Sequence, residues 1–405
     1  MTRATSWRFI SVCTVLIAAL VLANCGGGSS HHNSLTTSGS NVQPIVVNAG
    51  PAGNYANGLF VTITVCVPSS SNCQAIDGVL VDTGSYGLRI LSSNGGGKLS
   101  LPLPPQTDSN GNPIGECGEF ISGLTWGRVA TADVQISGEK ASSVPVQIID
   151  PSFAAVPSRC QNTGVPEQDT LQTLGTNGIL GIGPFVQDCG DACALPGNDS
   201  GNPGLYYSCV STSCQVISEP VAQQIANPVA LFAKDNNGVI VELPAVSAAA
   251  ASVNGSLVFG IGTQSNNAIS GANVFPLNSS AEFSTTFHSQ SYPGFIDSGS
   301  NGLFFLNSST SSLPVCSNTS SFYCPTSPAN LSATTASNGA STTINFTVQN
   351  ADTLFSNTSA SVFPGLAGPN AGTFDWGLPF FFGRNVFTAI ESRSTPAGSG
   401  PYWAF

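Results

Sequence analysis

The chain has 405 residues, enough for one large two-lobed unit or two domains with substantial cores. Its formal charge is −11, with 10 Lys and Arg against 21 Asp and Glu, which disfavours nucleic acid as a partner because that binding rests on clustered cations. Charged residues make up only 8% of the chain while Gly (44) and Pro (27) are plentiful, so long, charged surface helices are excluded and a mainly β chain with many turns and few short helices is expected.

Residues 1–8 carry Arg3 and Arg8, and residues 9–23 form an apolar run too short for a comfortable membrane span. That is the layout of a secretory signal. The run ends in Leu22-Ala23-Asn24-Cys25, followed by a flexible tract. This resembles the lipobox of bacterial lipoproteins, in which the Cys is lipidated and becomes the new N-terminus; Asn24 stands where that pattern has Gly, Ala or Ser. The resemblance implies a signal peptide over 1–25, a tether over 26–44 and membrane attachment through Cys25, with Gly26 favouring the outer membrane. The alternative is an ordinary secreted chain whose Cys25 merely lies near the cut. Without the leader, eight basic residues face 21 acidic ones. Protonating the carboxylates at low pH then creates little positive self-repulsion, and tolerance of acid is expected. His31 and His32 lie in the tether and need no metal role.

Twelve cysteines less Cys13 and Cys25 leave ten, an even number in an exported chain. Cys66 with Cys73 and Cys316 with Cys324 are close enough in sequence to form local staples. Cys189, Cys193, Cys209 and Cys214 flank one loop and can pair locally or as a nested ladder. Cys117 with Cys160 remains by elimination. The absence of nearby His and the oxidising compartment favour disulfides over zinc for this set, and no metal is expected.

Residues 59–67 are β-branched and half alternating, and predict a strand that returns through a loop at 68–72 to a second strand over 74–81. Residues 99–113 read as loop, 120–136 as short strands with Gly turns, 144–149 as a strand, and 177–183 as an apolar strand punctuated by Gly. A disulfide-pinned insertion is expected over 189–214 and a helix over 219–232, interrupted at Pro228. Asp235-Asn236-Asn237-Gly238 has strong turn chemistry. The boundary between an N-terminal lobe, 45–237, and a C-terminal lobe, 238–405, is placed there. A buried strand over 256–262 opens the second lobe, 307–343 reads as loop, 344–348 as a strand, and 376–391 leads to a closing apolar 402–405.

One stretch is written twice. Val79–Leu91 reads VLVDTGSYGLRIL and 295–306 reads FIDSGSNGLFFL. Asp82, Gly84, Ser85, Gly87, Leu88 and Leu91 recur as Asp297, Gly299, Ser300, Gly302, Leu303 and Leu306, six identities in ten positions. Apolar residues precede each Asp, so each carboxylate ends a short buried strand, and Gly two places on permits a tight turn. This is the mark of an internal duplication.

Two copies of apolar-apolar-Asp-Thr/Ser-Gly-Ser, one per half, resemble the pepsin-like aspartic peptidases. Gly178-Ile179-Leu180-Gly181 is similar to that family's strand behind the first Asp loop. Gly255-Ser256-Leu257-Val258-Phe259-Gly260 is similar to the strand opening its second lobe, and residues 376–391 to its final Gly–helix–strand segment. The chain also looks like a family of bacterial lipoproteins bearing these DTG and GILGIG motifs. The resemblance implies a bilobed, mainly β pepsin-like fold, peptide or protein as substrate, a monomer, and no cofactor. It implies Asp82 and Asp297 as the catalytic pair, Thr83 and Ser298 bonding across the axis with Gly84 and Gly299 beside them, and Ser85 and Ser300 orienting the carboxylates. The chemistry needs two facing carboxylates because like charges that close cannot both ionise, so the pair shares a proton and activates a water. The family's Tyr-Gly flap has no Tyr here. In the matching stretch, either Glu116 or Phe120 covers the cleft differently, or Cys117 pins the flap. The other class of function is a non-catalytic envelope module that binds peptide or glycan in the same cleft. His288 reads as a strand or turn residue, Asp375 as a helix or turn cap with a third carboxylate near the site as the alternative, and Arg89 and Arg384 as structural ion-pair partners.

Overall fold

The structure, a computed structural model, describes residues 35–161 and 164–405. The leader, Cys25, His31 and His32 lie outside the described residues. Because the chain alternates β-branched and small polar residues, almost every element is a strand. In the first half these are β1 (Val42–Asn48), β2 (Gly58–Cys66), β3 (Cys73–Asp82), β4 (Tyr86–Leu91), β5 (Ile114–Phe120), β6 (Gly123–Ile136), β7 (Glu139–Ile149), β8 (Gly178–Ile182), β9 (Tyr206–Val210) and β10 (Ser213–Val216). The second half contributes β11 (Gly238–Leu243), β12 (Val253–Phe259), β13 (Val274–Pro276), β14 (Phe283–Phe287), β15 (Gln290–Ile296), β16 (Leu303–Leu306), β17 (Ala329–Ser337) and β18 (Ala340–Val348). It closes with β19 (Ala367–Gly368), β20 (Asn370–Trp376), β21 (Arg384–Ala389), the small pair β22 (Ser394–Thr395) and β23 (Gly398–Ser399), and β24 (Tyr402–Ala404). The α-helices are single turns such as Ala351–Phe355. The mainly β class expected from composition is the class observed.

The duplication is visible in the pairing. Strand β3 delivers Asp82 and runs parallel to β8, which is also antiparallel to β4. Strand β15 leads to Asp297 and runs parallel to β20, which is also antiparallel to β16. A further parallel partner follows in each half, β7 beside β4 and β19 beside β16. Strand β1 joins the halves, lying between β2 of the first and β12 of the second. It begins at Val42, inside the stretch read as tether.

Val79, Val81, Leu88, Ile90, Leu180 and Ile182 are fully buried and pack beneath the first Asp loop. The second half uses rings instead: Phe305 stacks on Phe374 at 5.1 Å, and Phe374 lies 5.4 Å from Trp376. Five disulfides hold the periphery: Cys66–Cys73, Cys117–Cys160, Cys189–Cys193, Cys209–Cys214 and Cys316–Cys324. The four cysteines of the insertion thus pair locally rather than as a ladder. Five disulfides are what an exported chain folding under oxidising conditions carries, and among the described residues no helix is long and apolar enough to cross a membrane.

Three expectations need correction. Residues 120–136 do not form short strands: Gly127 lies inside the long strand β6, where a Cβ would come 1.9 Å from the Ile148 carbonyl oxygen. Glycine there allows close strand approach rather than a turn. The helix expected over 219–232 is two 3₁₀ turns, Val221–Gln223 and Pro228–Leu231, each set off by a proline that cannot donate to an α-helical ladder. The loop expected over 307–343 contains β17 and the start of β18, a hairpin closed at Asn338-Gly339. Both turn residues have positive φ, as the two-residue hairpin turn demands. Its Thr-rich strands bury Ala333, Thr335, Ile344 and Val348 on one face.

Candidate active site

Asp82 ends β3 and Asp297 follows β15, so the two matched loops meet between the halves. Thr83 and Ser298 tie the loops reciprocally. The Thr83 amide donates to Ser298 Oγ at 3.1 Å and the Ser298 amide to Thr83 Oγ1 at 2.9 Å. Each hydroxyl then donates onward into the opposite strand, Thr83 to the Ile296 carbonyl (3.1 Å) and Ser298 to the Val81 carbonyl (2.7 Å). Both side chains are fully buried, so every donor is paired and the two loops are fixed to each other.

The carboxylates are held the same way in each half. Asp82 accepts from the Gly84 amide at 2.8 Å and from the Ser85 hydroxyl. Asp297 accepts from the Gly299 amide at 2.7 Å and from Ser300 Oγ at 2.8 Å. Glycine is needed at both positions, because a Cβ on Gly84 would sit 2.5 Å from Asp297 Cγ and one on Gly299 would sit 2.7 Å from Asp82 Oδ1. The two carboxyl groups are hydrogen-bonded to each other. Burial, then the Asp297 charge and that hydrogen bond, hold the Asp82 carboxyl well above the usual range against the opposing pull of Ser85 and Gly84. The pair is therefore built to share one proton, with hydrogen-bond donors already placed around both carboxyl groups.

The dyad floors a cleft of about 820 Å³, whose walls include Tyr55, Tyr86, Ile179 and Phe295. A second hollow of about 820 Å³ shares Tyr55, Ser122, Gln168, Leu174 and Asn301 with it and continues the groove towards Phe355. The hairpin β5–β6 leans over this groove, with Glu119, Phe120, Ile121 and Ser122 among the lining residues and Ile121 82% exposed at its tip. Burial, and behind it the charges of Asp82 and Asp297, with Glu391 also acting on Tyr86, push both tyrosine hydroxyls upward, so each stays a neutral donor.

Glu116 does not face this cleft. It is fully buried behind the hairpin, where Arg89 Nη2 donates to its Oε1 at 2.7 Å and to Asp188 Oδ2 at 3.1 Å. Tyr206 donates to the other Asp188 oxygen at 2.7 Å. With one guanidinium for two carboxyl groups, Asp188 is pushed up to about 8 by burial and by Glu116, with Arg89 opposing. Arg89 is thus the ion-pair partner expected, but of two carboxyls rather than one. It also lies 5.5 Å from the Phe120 ring, so one cation links β4, β5 and the hairpin tip. Cys117, the residue after Glu116, is bonded to Cys160. Arg384 makes no ion pair among the described residues; it lies over the Phe380 ring at 4.6 Å and lines a separate hollow of about 440 Å³ that has no carboxyl group in its wall. His288 is an exposed turn residue between β14 and β15.

Asp375 corrects the sequence reading more sharply. It caps nothing: it lies within β20, paired with Phe295 on one side and Phe304 on the other, 3% exposed and in the cleft wall beside the dyad. Its carboxyl is raised well above the ordinary range by burial, then by the Asp297 charge, while a hydrogen bond with Ser300 opposes. The repeat itself carried the signal, since Asp375 stands two residues before Gly377 as Ile179 stands two before Gly181.

The fold is similar to that of the aspartic proteinase from Irpex lacteus, at 13% sequence identity over 90% of this chain and 96% of that one, with a TM-score of 0.48. No curated protein matches the sequence. A family model described as "Protein of unknown function (DUF3443)" matches residues 37–405, and the chain belongs to that family.

Proposed function

We propose that the protein is an aspartic endopeptidase, exported and lipid-anchored through Cys25 at the outer membrane, that hydrolyses peptide bonds with Asp82 and Asp297. The observation that supports this most is the reciprocal Thr83–Ser298 bonding, which presses two carboxyl groups together at the floor of a long groove. A water held between them gives its proton to the ionised member of the pair and attacks the scissile carbonyl. The protonated member supplies its proton to the carbonyl oxygen as it becomes tetrahedral. Titration belongs to the pair, and activity falls as pH rises and that shared proton is lost. Ser85, Ser300 and the two glycine amides keep the carboxyls oriented through the step.

A non-catalytic peptide- or glycan-binding lipoprotein is the second reading. It is favoured by the hairpin, which has no Tyr and is pinned by Cys117–Cys160 and the Arg89–Glu116 pair. The test is cleavage of a mixed peptide library from acid to neutral pH by residues 26–405, beside Asp82→Asn and Asp297→Asn. Cleavage lost in both variants supports the peptidase; folded protein that cuts nothing at any pH leaves the binding module. Lipidation is read by mass spectrometry of the membrane-extracted N-terminus, and Cys25→Ser should release the protein.

A further inference from the structure

The two halves place different chemistry at one equivalent point. In the first, Leu80, two residues before Asp82, pairs with Ile179. In the second, Phe295, two residues before Asp297, pairs with Asp375. Both partners face the same cleft and both are nearly inaccessible, Ile179 at 4% and Asp375 at 3% exposure. An apolar residue fills such a place without penalty, whereas a carboxyl there must be stripped of water. Asp375 Oδ1 nevertheless has no hydrogen-bond partner. Ser300, which donates to Asp297 Oδ2 and also bonds the Asp375 carboxyl, leaves this oxygen unpaired.

The rest of the wall points the same way. Asp82, Glu119, Glu282, Asp297 and Asp375 line the cleft, and among the described residues lining it there is no Lys, Arg or His. Five acids without a cation form a site whose charge is completed by something that enters it. A guanidinium or ammonium brings the donors that an unpartnered carboxyl oxygen lacks, and a charge-assisted bond in a water-poor wall is the strong kind.

We propose that Asp375 is a specificity-determining residue of the cleft, its free oxygen receiving the side-chain cation of a lysine or arginine beside the scissile bond of a peptide substrate. This rests on the peptidase reading for the bond that is cut, but not for the cation that is bound. Burial, then the Asp297 charge and that of Asp82, disfavour ionisation of Asp375. Arrival of a cation reverses that balance and releases the proton to solvent, so basic-peptide binding strengthens as pH rises.

The test uses peptides with arginine, or its neutral isostere citrulline, moved through each position flanking the scissile bond. They are given to wild type, Asp375→Asn and Asp375→Ile, the last copying the residue of the other half. At one position the wild type should prefer arginine by at least about tenfold in kcat/KM, and both variants should bring the ratio to within about twofold. A wild type that cleaves without this preference, or variants that keep it, would overturn the proposal. A parallel arm measures binding of the same labelled peptides to Asp82→Asn, alone and combined with Asp375→Asn. If wild type cuts no peptide, the peptidase reading fails by itself. The cation site then stands if arginine peptides bind better than citrulline peptides only while Asp375 is present, and falls if they do not or if neither binds.

Discussion

Replacing Arg89 with Met keeps most of the side chain's volume and removes its charge. In the native protein the guanidinium sits between Glu116 and Asp188, with side-chain exposures of 5%, 0% and 6%. Removing one member of a buried ion pair costs about 3–5 kcal/mol at neutral pH, because the remaining charge is left without a partner. The cost has a particular pH dependence. With the cation gone, the two carboxyls must carry one more proton in the folded state than before. Folding of the variant therefore takes up an extra proton, and its penalty shrinks by about 1.4 kcal/mol for each pH unit lowered. From pH 7 to pH 5 this recovers about 2.7 kcal/mol, most of the loss. Urea unfolding followed by tryptophan fluorescence with the disulfides intact is the assay, and Trp126, Trp376 and Trp403 are buried reporters. At a slope of about 3 kcal/mol per molar, the midpoint should drop by about 1–1.7 M at pH 7 and by much less at pH 5. An equal drop at both pH values would refute the electrostatic account and make the loss one of packing around the arginine stem.

The whole protein should also be more stable at mildly acid than at alkaline pH. Asp188 is raised to about 8 and Asp82 and Asp375 are raised as well, so their contribution is complete below the unfolded carboxylate range and is lost as pH rises through their folded values. Asp133 and Asp150 are lowered and act in the opposite sense below about pH 4, which places the optimum between; thermal melts from pH 3 to 9 that peak at pH 8 would contradict this. Gly84→Ala pushes a methyl group to within 2.5 Å of Asp297 Cγ, and the peptide hydrolysis proposed above should fall by about two orders of magnitude or more with the fold retained by circular dichroism, since misplacement of about 1 Å is that costly. Paired replacement of Cys117 and Cys160 by Ser opens a loop spanning 43 positions; it should cost about 4 kcal/mol in unfolding experiments and raise amide exchange in β5. Unchanged exchange there would mean that the Arg89 pair alone holds the hairpin.

What the sequence revealed was the part built from local rules. The Asp-Thr-Gly-Ser and Asp-Ser-Gly-Ser copies were legible because each needs an apolar strand, a turn and a small residue in a fixed order. The strand at Gly178–Ile182 was legible because it is apolar throughout. The Ala329–Val348 hairpin was missed because its strands are Ser and Thr rather than Val and Ile, although Asn338-Gly339 between them was a usable turn signal. Glu116 lay in the right hairpin, but strand alternation alone did not say which face turns to the cleft; the buried partner, Arg89, lies 27 positions earlier in the chain. For Asp375 the sequence left a cap and a third carboxylate near the site both open, because its neighbours in sequence suggest a chain turn, while its surroundings are set by Phe295 and Ser300, brought to it by the sheet.

The position of β1 has a consequence for how such a chain is made. Its partners are β2, a few residues downstream, and β12, which begins at Val253. As the chain emerges from its N-terminus, β1 can complete one edge at once, but the other stays bare until more than half of the protein has followed. A mainly β chain with pairings this remote in sequence folds slowly. During that interval an unpaired edge beside apolar strands is open to pairing with other chains. An isolated first half keeps that open edge permanently, so dividing the chain at its own duplication should yield aggregating fragments that are rescued only when residues 253–259 are supplied in trans.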